Sequence, residues 1–135
     1  MKSLSDLVAS IEDDDRDSLA TVLTEASPHL ARLAAVALSF LQSRPKLALH
    51  VFMWITEQDA PADAALREEW LRAHNNACYL AAVSGSPDEC RIVVDRALGV
   101  APQNPAIFHN AACVLCKIED AAGALEAIRG GIAHG

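Results

Sequence analysis

The chain has 135 residues, of which 52% are hydrophobic, so it is long and apolar enough to bury one domain's core, which argues against wholesale disorder. It holds 26 alanines against six aromatic residues, and because alanine favours helices whereas aromatic and β-branched residues favour strands, an all-β fold is disfavoured. The net charge of −7 argues against nucleic acid as a partner, since phosphate binding needs a basic surface.

Turn-forming residues divide the chain into segments whose apolar residues recur with helical periodicity. We predict an all-α fold of about eight helices, at residues 3–12, 14–26, 28–42, 45–58, 62–84, 87–99, 104–118 and 121–133. The sixth helix has the clearest start, because Ser86 can cap it, Pro87 fits its first turn and two acidic residues follow. Ser3 and Asp6 predict a similar cap on the first helix.

Charge is distributed unevenly along the N-terminal part of the chain. Residues 1–27 contain seven acidic and two basic residues, whereas residues 28–56 contain Arg32, Arg44 and Lys46 and no acidic residue. We therefore expect the acidic N-terminal helices to lie against this basic strip.

The sequence also bears on cellular location. No apolar run approaches the roughly 18 residues needed to span a bilayer, and the N-terminus carries an early acidic residue, unlike a secretory signal. We expect a cytoplasmic protein with no membrane partner. Its four cysteines, Cys78, Cys90, Cys113 and Cys116, are expected to be reduced thiols in that setting.

The C-terminal half of the chain repeats itself with a period of 34 residues. This shift pairs Asn76-Ala77-Cys78 with Asn110-Ala111-Ala112, and it pairs Cys90 with Ala124. Each unit consists of a helix, a short turn and a second helix. Because one helix pair cannot bury its own apolar face, such a period predicts units that stack on one another.

This pattern resembles the tetratricopeptide (TPR) repeat. In that family, small residues stand where the two helices of a unit cross, and a proline ends the second helix. Cys78, Cys90 and Pro102 match these positions in one unit, and Ala112 and Ala124 match the small positions in the next.

The resemblance implies one domain over residues 1–135, a TPR-like α-solenoid of stacked antiparallel helix pairs. Its parts are acidic N-terminal helices at 1–27, a weak repeat at 28–60, and clear repeats at 61–104 and 105–135.

Three residues with metal-binding or redox chemistry share one face of the seventh predicted helix. Spacings of four and three residues place His109, Cys113 and Cys116 on a single stripe. Zinc accepts imidazole and thiolate but needs four ligands, or three and a water, and the preceding repeat offers no fourth side chain, so we predict no metal. A Cys–His nucleophile would need an oxyanion site, and no glycine-rich turn lies near the pair, so we predict no enzyme.

By the TPR resemblance, this stripe lines a concave groove between neighbouring helices. The implied groove residues are Asn75, Tyr79, His109, Cys113, Cys116 and Lys117. We expect a protein–protein interaction module that holds a peptide or a partner helix in this groove and needs no cofactor. The alternative is a metal- or redox-linked thiol protein that uses His109, Cys113 and Cys116 on the same scaffold.

Some TPR domains grip a C-terminal carboxylate with basic residues and asparagines. Here Asn76 and Asn110 occupy the asparagine positions, but the basic partners are absent and Lys117 alone is insufficient. We expect the asparagines to bridge adjacent helices instead.

Two small thiols mark the crossing of the fifth and sixth predicted helices. We expect Cys78 and Cys90 to be buried there. We expect His74, one turn before Cys78, to lie on the same inward face.

The last predicted helix carries a second apolar pattern. Ala124, Ile128 and Ile132 recur at four-residue spacing with no following helix to cover them, so we expect either that the natural protein continues or that this end meets another copy. If the chain is complete, we expect weak self-association through residues 121–133. Gly130 and Gly131 should each weaken this helix by about 1 kcal/mol.

Overall fold

The computed structural model describes residues 3–26 and 29–135, and within these ranges the chain is helical and contains no strand. The eight α-helices are α1 (Leu4–Ala9), α2 (Arg16–Glu25), α3 (Leu30–Ser39), α4 (Pro45–Glu57), α5 (Ala64–Ser84), α6 (Pro87–Val100), α7 (Ala106–Lys117) and α8 (Ala121–His134). The all-α prediction and its eight segments are confirmed, with ends that differ by up to three residues; the predicted start of the third helix, at residue 28, lies outside the described residues.

The helices begin where side chains satisfy free backbone N–H groups. Ser86 Oγ accepts a hydrogen bond from the Glu89 amide at 3.2 Å, and Glu89 Oε1 accepts one from the Ser86 amide at 2.9 Å, so α6 has a complete capping box. The predicted capping box of α1 is confirmed in its hydroxyl half, since Ser3 Oγ accepts a hydrogen bond from the Asp6 amide at 3.1 Å. Aspartates cap three further helices, namely α2 by Asp15, α5 by Asp63 and α8 by Asp120.

Helix α5 occupies the centre of the packing, in contact with α3, α4, α6 and α7. Helix α7 packs in turn against α6 and α8, while α2 reaches α4. The buried apolar residues of all eight helices form one cluster. Seven consecutive residues of α4, 47–53, are buried, as expected for a helix that neighbours surround on every side.

None of the helices in residues 3–26 and 29–135 combines the length and the hydropathy that crossing a bilayer requires.

Arg44 joins the acidic N-terminal region to the rest of the molecule. Its guanidinium donates to the carbonyls of Ala9 and Ile11 and to Asp13 Oδ1, each at 2.7 Å. The expected contact between the acidic N-terminal residues and the basic strip is therefore confirmed at Arg44.

The crossing of α5 and α6 is built from small buried thiols. Cys78 and Cys90 are both fully buried, as predicted, and Cys90 Sγ donates to the Ala81 carbonyl at 3.3 Å. Burial raises the pKa of Cys78 to about 12, so this thiol stays protonated.

His74 also lies inside the protein, as predicted. Its side chain is 3% exposed, its ring meets the Trp70 ring edge-on with centroids 4.5 Å apart, and its Nε2 has no hydrogen-bond partner. Burial, together with the positive charge of Arg96, lowers the pKa of His74 to about 4. A proton on this ring would be a buried charge without a partner.

The glycines of α8 allow that helix to approach α7 closely. A Cβ atom at Gly130 would lie 2.5 Å from Phe108 Cε1, and one at Gly131 would lie 3.2 Å from Phe108 Cβ. The two glycines that are expected to weaken α8 therefore also leave the space that the Phe108 side chain occupies. One expectation for α8 is wrong: Ala124 is 4% exposed, because it lies on the face that the rest of the protein covers.

Replacing Gly130 by alanine should lower the free energy of unfolding by about 1–3 kcal/mol, because the new methyl group must displace the Phe108 ring. Gly99 is the matched control, since a Cβ there meets nothing within 4 Å. In the open setting of α6, Gly99→Ala should stabilise the protein by about 0.5–1 kcal/mol. Denaturant unfolding of both variants measures the difference, and equal stabilisation by both would contradict the close approach of α8 to Phe108.

Acidification should destabilise the protein through His74. Between the ordinary pKa of 6.5 and the folded value of about 4, the unfolded chain binds a proton at His74 that the folded chain does not. This contribution to stability is present above pH 6.5 and is lost as the pH falls, by roughly 3 kcal/mol in all.

Unfolding measured at several pH values should show that His74→Leu loses less stability on acidification than the parent does. Leu71→Ala is the control, because this variant is destabilised in the same helix but retains His74. An identical pH dependence in His74→Leu and the parent would contradict the buried, neutral state of this histidine.

Candidate binding groove

Helices α5 and α7 lie side by side and run in the same direction. Asn110 Nδ2 donates to Asn75 Oδ1 at 2.8 Å, and further along both helices Lys117 Nζ donates to the carbonyls of Ala81 and Gly85 at 2.9 and 3.0 Å. These partners are 35, 36 and 32 residues apart. The register of α5 and α7 is therefore close to the 34-residue period of the sequence.

Two of the six predicted groove residues form hydrogen bonds between α5 and α7. Lys117 places its ammonium on carbonyls at the C-terminal end of α5, where the helix dipole favours a positive charge. Asn75 uses its amide oxygen to bind Asn110, which confirms that Asn110 bridges adjacent helices. Two of the three ammonium N–H groups of Lys117 are thereby occupied, which leaves one to bind the carboxylate of a peptide.

Tyr79 is a predicted groove residue whose side chain is available to solvent. It is 47% exposed and stands one turn beyond Asn75 on α5. One turn further, Val83 is 60% exposed, and sequence reasoning missed it although its four-residue spacing from Tyr79 was visible. Together these two side chains form an apolar edge on α5.

The facing helix contributes two accessible thiols. Cys113 and Cys116 are exposed, free cysteines near the middle and end of α7. Cys78 and Cys90, by contrast, are buried, and burial raises the pKa of both. Cys113 lies 34 residues after Tyr79, so the register of the two helices places these residues at the same level.

His109 lies beside a different cavity. With Phe108 it lines an open furrow of about 590 Å³ between α7 and α8, whose other wall includes Ile128 and Ile132. Its neighbour Asn110 faces α5. The predicted stripe on α7 therefore spans two surfaces, with His109 at the α8 furrow.

Potential metal ligands are scattered in the part of the chain that the structure describes. No three histidine, cysteine, aspartate or glutamate residues there are grouped so that they could hold a metal ion. His109, Cys113 and Cys116 accordingly share a stripe without forming such a group.

A buried polar pair between α4 and α6 was missed by sequence reasoning. His50 Nε2 lies 2.5 Å from Glu89 Oε2, and the two residues are only 4% and 9% exposed. Burial alone would raise the pKa of Glu89, but hydrogen bonds from Ser86 and His50 outweigh it and hold that pKa below its usual value. The pair is 39 residues apart in sequence, so no local spacing could have revealed it.

Comparison of the chain with protein-family models, with curated proteins and with solved structures finds no match. Function is therefore inferred from the geometry of the chain itself.

Truncating Tyr79 should leave the fold almost unaffected. Because the ring is 47% exposed, Tyr79→Ala is expected to change the free energy of unfolding by less than about 1 kcal/mol. Trp70 provides the contrast within the same helix, since it is 7% exposed and its Nε1 donates to the Gln58 carbonyl at 3.1 Å. Trp70→Ala should cost about 3–5 kcal/mol. A cost of that size for Tyr79→Ala would show that Tyr79 is a core residue and would exclude it from the groove.

Proposed function

We propose that the protein is a protein-interaction module in which the exposed face shared by α5 and α7 holds a peptide or a helix of another protein. The observation that carries this proposal is the exposed apolar edge that Tyr79 and Val83 form on α5, whose parallel neighbour α7 carries two exposed cysteines. This surface is called the α5–α7 groove below.

The rigidity of the two helices supports this function. Four helices pack around α5, and α7 is fastened to it by Lys117 and by the pair Asn75–Asn110. A surface held in one conformation loses little entropy when it binds. Tyrosine adds to this advantage, because its large ring has few rotatable bonds and carries a polar end.

The chemistry of the groove favours an amphipathic segment with apolar side chains about one helical turn apart. Tyr79, Val83 and Cys113 offer apolar or weakly polar contacts. The ammonium of Lys117, the one lysine among the predicted groove residues, already binds backbone carbonyls. We therefore propose recognition through apolar contacts and not through a ligand's terminal carboxylate.

The parallel register of α5 and α7 supports the further proposal that residues 61–135 form a TPR-like stack. In such a stack, equivalent helices of consecutive units lie side by side, and the observed hydrogen bonds join residues 32 to 36 positions apart. We also propose a cytoplasmic location, where the four cysteines would be reduced thiols.

Selection of peptides from a displayed random library tests the groove. Peptides are selected on the parent protein, and their affinities are measured by fluorescence anisotropy for the parent and for the double variant Tyr79→Ala, Val83→Gln. We expect the double variant to bind at least about tenfold more weakly, because the apolar edge is removed.

Ile92→Gln is the matched control, since Ile92 is an exposed apolar residue on α6, at 38% exposure, outside the groove. This variant should bind the selected peptides with the parental affinity. Selected peptides that bind the double variant as tightly as the parent, or a library that yields no binder, would contradict the proposed function.

A further inference from the structure

Helix α8 presents a second apolar surface, away from the α5–α7 groove. Four exposed residues recur at spacings of four, three and four, which is the heptad pattern of a coiled-coil seam. They are Ala121, Leu125, Ile128 and Ile132, called the α8 seam below.

The exposure of the seam is unusual for an amphipathic helix. Leu125 and Ile128 are each 48% exposed and Ile132 is 78% exposed, whereas Ala124 and Ala127, on the adjoining face, are buried. The face that packs on the protein therefore carries small residues, and branched aliphatic residues face solvent. A surface helix normally shows the opposite distribution, so the seam indicates a contact outside the chain.

We propose that the α8 seam binds the α8 seam of a second copy of the chain, with the two helices antiparallel about a twofold axis. Such an interface is self-complementary, because each copy contributes the same surface. It lies outside the α5–α7 groove and does not depend on the proposed function of that groove.

The side-chain sizes fit the antiparallel arrangement. With the twofold axis between positions 126 and 127, Leu125 lies opposite Ile128 of the second copy, and Ala121 lies opposite Ile132. Each of the four layers then contains two different side chains, and the smallest residue meets the most exposed one. A parallel pair would instead place Ala121 against Ala121 and leave an underfilled layer at that end.

The charges beside the seam favour the same arrangement. Glu126 and Arg129 are exposed, and neither forms an ion pair within residues 3–26 and 29–135. In the antiparallel pair, Arg129 comes level with position 124 of the second copy, on the flank that carries Glu126. A parallel pair would instead place Arg129 against the flank of the second copy that carries Ala124 and Gly131 and no acidic residue of α8, and the helix dipoles would also be aligned unfavourably.

The size of the seam sets the strength of the association. Helix α8 has 14 residues, and only four of them per copy form the seam. Stable interfaces bury about 1,200–2,000 Å², which is more than a contact of this length supplies. The dimer should therefore be reversible and should depend on protein concentration.

Sedimentation velocity over a range of concentrations tests the association. We expect a monomer–dimer equilibrium that is weakened at least about tenfold in the double variant Ile128→Gln, Ile132→Gln. The control Ile92→Gln, an exposed isoleucine on α6, should dimerise as the parent does. A parent that remains monomeric up to about 1 mM, or a double variant that dimerises like the parent, would overturn the proposal.

Disulfide trapping tests the antiparallel register, in a background where Cys113 and Cys116 are replaced by serine. A mixture of a Leu125→Cys chain and an Ile128→Cys chain, treated with a mild oxidant, should yield the crosslinked heterodimer in preference to either homodimer. Preferential crosslinking of each variant with itself would contradict the antiparallel pairing.

The groove variant Tyr79→Ala, Val83→Gln should retain the parental dimerisation. Its loss would show that the contact between copies includes the groove, which would overturn the assignment to the α8 seam. Failure of the groove to bind peptides leaves this test unaffected.

Discussion

The parallel packing of α7 against α5 is the constraint on which the candidate site depends. Two sets of hydrogen bonds join the packed helices. One is the amide pair Asn75–Asn110, and the other runs from the Lys117 ammonium to the Ala81 and Gly85 carbonyls at the C-terminal end of α5. The Ala81 carbonyl also accepts from the Gly85 amide and the Cys90 thiol, so Lys117 adds a charged donor at the C-terminal end of α5, where the helix dipole favours a positive charge. Side chains elsewhere on the exposed faces of both helices remain available for contact.

The predicted groove residues have two different roles that the sequence does not distinguish: some link α5 to α7, and others expose apolar surface. Asn75 and Lys117 are polar residues among the six expected groove residues, but both form hydrogen bonds between the two helices. Tyr79 and Val83 lie on the same side of α5 and expose apolar surface instead. The proposed groove would therefore bind through apolar side chains, while two of its predicted polar residues join α5 to α7.

Much of the fold follows from local patterns. Turn-forming residues such as proline, glycine and aspartate separate the helices, and the N-cap at Ser86 forms as predicted. Both features are predictable because caps and turns depend on residues only three or four positions apart. Burial of Cys78 and Cys90 was implied by the resemblance to the tetratricopeptide repeat, in which small residues stand where helices cross.

Features that depend on distant residues were not predictable in this way. The His50–Glu89 pair joins helices whose sequences show no common pattern. Gly130 reads as a weak point of α8 until the position of the Phe108 ring is known. Ala124 was expected to be uncovered, but whether an alanine on an apolar stripe is buried depends on the orientation of the whole helix. In each case the contact or the burial of the residue is set by tertiary packing, which the local sequence does not specify.

Disulfide trapping between α5 and α7 tests the central claim most directly. With Cys113 and Cys116 replaced by serine, the pair Asn75→Cys, Asn110→Cys should form an intramolecular disulfide under mild oxidation, because these side chains are in contact across the parallel helices. The pair Asn75→Cys, Lys117→Cys should remain reduced, since Lys117 lies at the far end of α5. Formation of the second disulfide in place of the first would contradict the parallel register and, with it, the groove.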